Sequence, residues 1–164
     1  MKTVDFDTLG LRSGEKVLDL GCGEGRHVIS FYVEADVHAV GVDLGFNDLR
    51  KTAEKFTPFH EPDNSKKQLH LACTNALQLP FADASFDKVV CSEVLEHIPD
   101  YHGALLEIAR ILKPGGVAAI SVPRYVPVTM IDRTVGTAAV GQIASALYRR
   151  EKTGIGQSIE VPMF

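Results

Sequence analysis

Val17-Leu18-Asp19-Leu20-Gly21-Cys22-Gly23-Glu24-Gly25-Arg26-His27 is the stretch on which the fold turns. A short apolar run, Lys16–Leu20, stops at three alternating glycines, and a helical pattern, Val28–Val33, leaves them. A strand, a glycine turn and a helix in that order put backbone where a ligand can approach closely. The glycines are spaced GxGxG, and Asp19 precedes the first by two residues. An acid beside the turn favours a positively charged ligand group, so a dinucleotide pyrophosphate fits poorly. Asp43 lies 18 residues past Gly25, at the end of the next strand-like run. An acid at that point is placed to accept both hydroxyls of a ribose.

The rest of the body follows the same alternation. His38–Asp43 is a second buried strand, and Asn47–Phe56 is helical with Asn47 as its cap. Leu69, Leu71 and Cys73 alternate as a third strand. After the loop Leu79-Pro80-Phe81-Ala82-Asp83, residues Asp87–Ser92 form a fourth. Tyr101, Leu105, Ile108 and Leu112 recur at helical spacing up to the stop Lys113-Pro114-Gly115-Gly116. Val117–Val122 is a fifth strand, ended by Pro123. Strands alternating with helices imply right-handed crossovers, hence a doubly wound, mostly parallel α/β sheet covered on both faces.

Composition sets outer bounds. The chain has 164 residues, 45% hydrophobic and 23% charged, the profile of one globular domain. No run approaches the ~18 apolar residues of a membrane span, and MKTVDFDTLGLRSGEK lacks the apolar core of a secretory signal. Three distant cysteines, Cys22, Cys73 and Cys91, read as reduced thiols packed as small core residues in a cytoplasmic protein. No dense Lys/Arg block marks a nucleic-acid partner, and the histidines do not cluster, so no metal site is expected. Residues 1–123 carry a net charge of −6 and residues 124–164 a net of +2. An acidic body suits a cationic ligand.

From about Gly14 to Pro123 the chain resembles the class I S-adenosylmethionine-dependent methyltransferases, nearest to the small-molecule, type 11-like kind that methylates quinone precursors and similar metabolites. The motifs run in order: VLDLGCGEG at 17–25, VGVDL at 40–44, TNALQLPF at 74–81, FDKVVCSEVLEHIPD at 86–100 and LKPGG at 112–116. The resemblance implies a Rossmann-like fold and S-adenosyl-L-methionine as cofactor. It implies that Gly21, Cys22 and Gly23 pass along the methionine part, with Asp19 beside its amino group. Asp43 and Leu44 would hold the ribose end, and Asn75 and Ala76 would flank the adenine. Ser92 and Glu93 would line the pocket beside the sulfonium. The family usually carries Asp where Asn75 stands; an amide carbonyl still accepts a hydrogen bond. For a small-molecule acceptor with a hydroxyl or acidic carbon, His97 is the candidate general base.

The tail departs from that family, which normally continues with a helix and two more strands. Asp132–Ala139, Ala146–Gln157 and Ile159–Val161 resemble a stretch inside the family III CoA-transferases, where the acid matching Asp132 is the nucleophile. The 39 residues 126–164 cannot supply a CoA pocket. Physically it reads as one helix, with Val135, Ala138, Ala139, Ile143, Ala146 and Leu147 as its apolar stripe, and one strand, Ser158–Val161. The expectation is a methyltransferase domain over 1–123, truncated after its fifth strand, and a helix-strand tail over 124–164 docked on the sheet edge. The alternative is a cofactor-binding module without catalysis, or an inactive fusion product.

Overall fold

A computed structural model describes Val4, residues 6–123 and the backbone of Ser158–Glu160. The elements are α1 (Phe6–Leu9), β1 (Lys16–Leu20), α2 (Arg26–Glu34), β2 (His38–Asp43), α3 (Phe46–Phe56), β3 (Gln68–Cys73), β4 (Phe86–Ser92), α4 (Tyr101–Ile111), β5 (Leu112–Ser121) and β6 (Ser158–Glu160). All paired strands are parallel, in the order β3-β2-β1-β4-β5-β6. This is the doubly wound sheet that the alternation predicts. β1 is the central strand, with Leu20 opposite Val42 of β2 on one side and Cys91 of β4 on the other. Strand order therefore reverses between β1 and β4, the place where such sheets open a crevice beyond their carboxyl ends.

The two faces have separate cores. Val17, Val28, Phe31, Val37 and Leu49 join α1, α2 and α3 to one face. Leu18, Leu20, Val89, Leu105, Ile108 and Ile111 join α4 to the other. Alternation along β1 sends Val17 one way and its neighbours the other, as a strand buried on both faces requires.

Several element bounds differ from the sequence expectation; α2 runs from Arg26 to Glu34, wider than Val28–Val33 at both ends, and β4 starts one residue early, at Phe86. α1 is new: four residues are too few to show a helical period, and Phe6 is held by its ring against Phe31, 5.0 Å away. α3 begins at Phe46 with Gly45 as its cap, so Asn47 sits exposed inside the first turn. Asp43 fixes the turn into the helix by accepting the Gly45 N–H at 2.8 Å. β5 starts at Leu112, five residues early, because the helix stop turns straight into pairing with Phe86 across an irregularity between Phe86 and Lys88. It also ends at Ser121, one residue short of Val122.

At the far edge, β6 pairs with β5, Val117 opposite Ser158 and Ala119 opposite Glu160. The expected tail strand thus has a place in the sheet. The expected helix over 135–147 and Asp132 lie outside the described residues.

Arg110 fixes the loop leading into β4. Its guanidinium donates to the carbonyls of Phe81 (2.7 Å) and Leu79 (3.0 Å), to Asp83 (2.8 Å) and to both oxygens of Glu107 (2.7 and 2.9 Å). Glu107 in turn accepts the Leu79 N–H at 2.7 Å. Arg110→Met keeps the stem and removes every donor. It should lower unfolding stability by about 1–3 kcal/mol in urea titrations; a loss below about 0.5 kcal/mol, the usual range for a surface change, contradicts this role.

Candidate functional site

The loops after β1, β2, β3 and β4 meet at the carboxyl edge of the sheet. A cleft of about 820 Å³ opens there, lined by the whole Gly21–His27 turn, by Ile29, Ser30, Lys55 and Phe59, and by Ser92 and Glu93. Of the expected site residues, Gly21, Cys22, Gly23, Ser92 and Glu93 line it directly. Asp19, Asp43, Leu44, Asn75, Ala76 and His97 do not, and each has a distinct placement.

Gly21 leaves β1 at φ +73°, a region that side chains other than glycine's rarely adopt, and a Cβ there would lie 2.3 Å from the Val94 side chain. The amides of Gly21 and Cys22 both donate to the Val42 carbonyl, at 2.8 and 3.0 Å. Those bonds fold the turn back over β2. The next amide, that of Gly23, donates to Asp43 Oδ2 at 2.8 Å. Asp43 Oδ1 accepts the Gly45 amide, so both carboxylate oxygens hold backbone and each keeps one further accepting position.

Asp19 is buried, 1% exposed, beneath the turn. Its Oδ2 accepts the Val28 N–H at 2.9 Å, in the first turn of α2, and its Oδ1 lies 3.9 Å from His27 Nδ1. His27, in the first turn of α2, is 5% exposed, between Asp19 and the rings of Phe6 and Phe31. Burial pushes the Asp19 carboxyl up to about 7, against the opposing pull of the Val28 N–H and Arg26. The Cys22 and Cys91 thiols, both buried, are pushed upward by the same desolvation. Cys73 departs from the core reading: it is exposed and donates to the Leu44 carbonyl at 3.4 Å.

Glu93 occupies the left-handed region at φ +58°, unusual for a side chain with a Cβ. Its amide donates to the Ser121 carbonyl (2.9 Å), and its Oε1 accepts from Ser121 Oγ (2.9 Å). Ser121 has one hydroxyl proton, already given to Glu93. In the 2.8 Å contact between the two hydroxyls, Ser92 is therefore the donor. Ser121 carries no site signal in the sequence, where it is one residue inside the fifth strand Val117–Val122.

Beyond Asp43 lies an apolar and polar margin. Leu44 and Phe46 are 74% and 70% exposed, and Leu77 is partly exposed. Asn75 is exposed and closes its own turn, its Oδ1 accepting the Leu77 N–H at 2.9 Å, while Ala76 packs against the core on the α4 side. His97 stands on a 3-10 turn, Leu95–His97, that follows Glu93. Its imidazole is 79% exposed, with Nε2 3.8 Å from Glu96 Oε1.

Asp19 makes a pH prediction. Its folded pKa of about 7 lies above the ordinary 3.8, so the folded chain keeps a proton that the unfolded chain releases. Stability contributed at this site therefore falls as pH rises from about 4 to about 7. Asp19→Asn, which still accepts from Val28, should flatten urea-measured stability across that window by up to ~1.4 kcal/mol per pH unit. Parallel curves for the two proteins would contradict the assignment.

Residues 18–120 match the methyltransferase domain family. Among curated proteins, an O-methyltransferase of Aspergillus nomiae is 35% identical over 108 residues, 66% of this chain and 46% of its own. A demethylmenaquinone methyltransferase of Thermobifida fusca is 36% identical over 124 residues, 76% of this chain and 50% of its own. The chain thus spans about half the length of these relatives. The YcgJ protein of Bacillus subtilis superposes with a TM-score of 0.57 at 27% identity, over 67% of this chain and 44% of that one. The [4+2]-cyclase SpnF shares the fold alone, with a TM-score of 0.71 at 21% identity over 85% of this chain and 55% of that one. With the family match covering the glycine turn, Asp43 and the Ser92–Glu93 loop in one continuous stretch, this chain belongs to the methyltransferase domain family.

Proposed function

We propose that the cleft binds S-adenosyl-L-methionine and that the chain serves methyl transfer to a small-molecule acceptor. The observation that carries this reading is the Gly23 peptide: its amide is held by Asp43, and a Cβ at Gly23 would meet no atom within 4 Å. The turn therefore offers an open backbone face next to a carboxylate with spare accepting capacity. That donor set fits the ligand. Asp19, Asp43 and Glu93 surround the turn with acid, suited to an ammonium and a sulfonium, and exposed Leu44, Phe46 and Leu77 offer an apolar seat for a flat base.

When bound, the cofactor supplies an electrophilic methyl group on sulfur. The chain's residues bind and align. Gly21, Cys22 and Gly23 pass along the methionine part, and Asp19 holds the α2 end of the turn beside the amino group. Asp43 accepts from the ribose with Leu44 packed on it, while Asn75 and Ala76 flank the adenine. Ser92, tied to Ser121, lines the cleft, and Glu93 faces the same space. Alignment of this sort lowers the barrier without any side chain reacting. For a hydroxyl acceptor His97 is the base, placed on the turn that follows Glu93 and paired with Glu96.

The small-molecule acceptor is supported by the relatives' names, an O-methyltransferase and a demethylmenaquinone methyltransferase. The free thiols among the described residues fit a reducing, cytoplasmic setting. Residues 1–123 are the methyltransferase domain in this reading. Residues 124–164 are a tail of different origin, like a family III CoA-transferase fragment, whose Ser158–Glu160 strand pairs with β5.

Calorimetric titration of the 164-residue chain with S-adenosylmethionine should give micromolar binding. Asp43→Ala should weaken it about ten- to a hundred-fold, the loss of one or two charge-assisted hydrogen bonds. Equal affinity in a variant that melts cooperatively sinks the ribose assignment. Against phenols, quinols and carboxylates, turnover unchanged by His97→Ala removes that residue as base.

A further inference from the structure

We propose that Thr52 of α3, outside the cleft lining, is a positioning residue that sets the ligand-facing backbone of the glycine turn. The inference rests on the cofactor-binding reading of the cleft. Thr52 is fully buried, and its Oγ1 donates to the Gly23 carbonyl at 2.8 Å, across 29 residues of sequence. A buried threonine in a helix usually bonds the carbonyl one turn back in its own helix. This one reaches out instead. The Gly23 residue is therefore held at both ends, its amide by Asp43 and its carbonyl by Thr52.

The same helix face grips the two residues that follow. Lys51 and Lys55 donate to Glu24, at 2.9 and 2.5 Å, and hold its carboxyl down at about 2, with the Lys55 bond the larger cause. The Thr52 methyl lies 2.6 Å from where a Cβ at Gly25 would stand, and Gly25 caps α2 at φ +87°. Residues 51, 52 and 55 thus clamp residues 23, 24 and 25. The lysine contacts are exposed and screened by salt, which leaves the buried hydroxyl as the firm member. Gly45, the cap of α3, has its amide held by Asp43, so ribose-side carboxylate, helix and glycine turn form one closed circuit.

Two variants separate positioning from packing. Thr52→Val keeps the branched shape and deletes the donor; Thr52→Ser keeps the donor and deletes the methyl. With S-adenosylhomocysteine as the probe, Thr52→Val should bind about three- to tenfold more weakly than wild type, and Thr52→Ser within about twofold. A packing role predicts the reverse order, and that order, or equal losses in both, overturns the proposal. Amide hydrogen exchange of the ligand-free chain gives an independent reading. Thr52→Val should speed exchange at Gly23 about tenfold, because its Asp43 bond opens once the carbonyl is released. Unchanged exchange also overturns the proposal. Failure of the wild-type chain to bind the probe would strike the cleft's assignment, whereas the exchange result bears on Thr52 alone.

Discussion

The carboxylate of Asp43 is the interaction on which the site depends. It joins the Gly23 amide to the Gly45 amide, each at 2.8 Å, and so ties the turn after β1 to the start of α3. Both are hydrogen bonds to an ionised acceptor, about twice as strong as neutral ones. Glycines alone make the turn possible but do not choose its path. The path is chosen by Asp43 from one side, the Val42 carbonyl from below and Asp19 from within, where it accepts the Val28 amide at the head of α2.

That arrangement uses acids for two different tasks. Asp19 is desolvated enough for its carboxyl to titrate near 7, which makes the inner support of the turn sensitive to pH in the neutral range. Glu24, about half exposed, is held ionised by Lys55 and Lys51 and acts as a surface tie. On the opposite wall, Ser92, Ser121 and Glu93 form a hydrogen-bonded row that fixes a backbone in the left-handed region. Strained backbone of this kind persists only where its surroundings over-determine it, and it clusters at sites that meet ligands. The glycine turn and the Ser92–Glu93 loop flank the point where strand order reverses, so the sheet's topology brings them together.

Much of this was legible in the sequence, for identifiable reasons. β1 and β2 match their expected bounds because each is an apolar run ended by residues that disfavour strand, Gly21 after one and the Asp43–Gly45 turn after the other. The alternation of strands and helices gave the parallel, doubly wound sheet. What escaped were features set by tertiary partners. α1 exists because Phe6 and Leu9 find a core to enter. Asn47 has a capping side chain, but α3 starts at Phe46 with Gly45 at its cap, after a turn that Asp43 closes. His27 is buried because α1 covers it, and α1 itself has no periodic signal. Thr52 carried a faint signal: it lies three residues from Leu49 on the buried side of α3, where a hydroxyl needs a partner. Nothing local could name Gly23 as that partner.

The most direct test of the account is to follow the amide resonances of the nitrogen-labelled chain while S-adenosylhomocysteine is added. The account predicts saturable shifts concentrated at Gly21–Gly25, the Asp43–Phe46 segment and Ser92–Glu93, with the β1–β4 core otherwise unchanged. Shifts confined to other surfaces, or none at all in a chain whose spectrum is that of a folded protein, would contradict it.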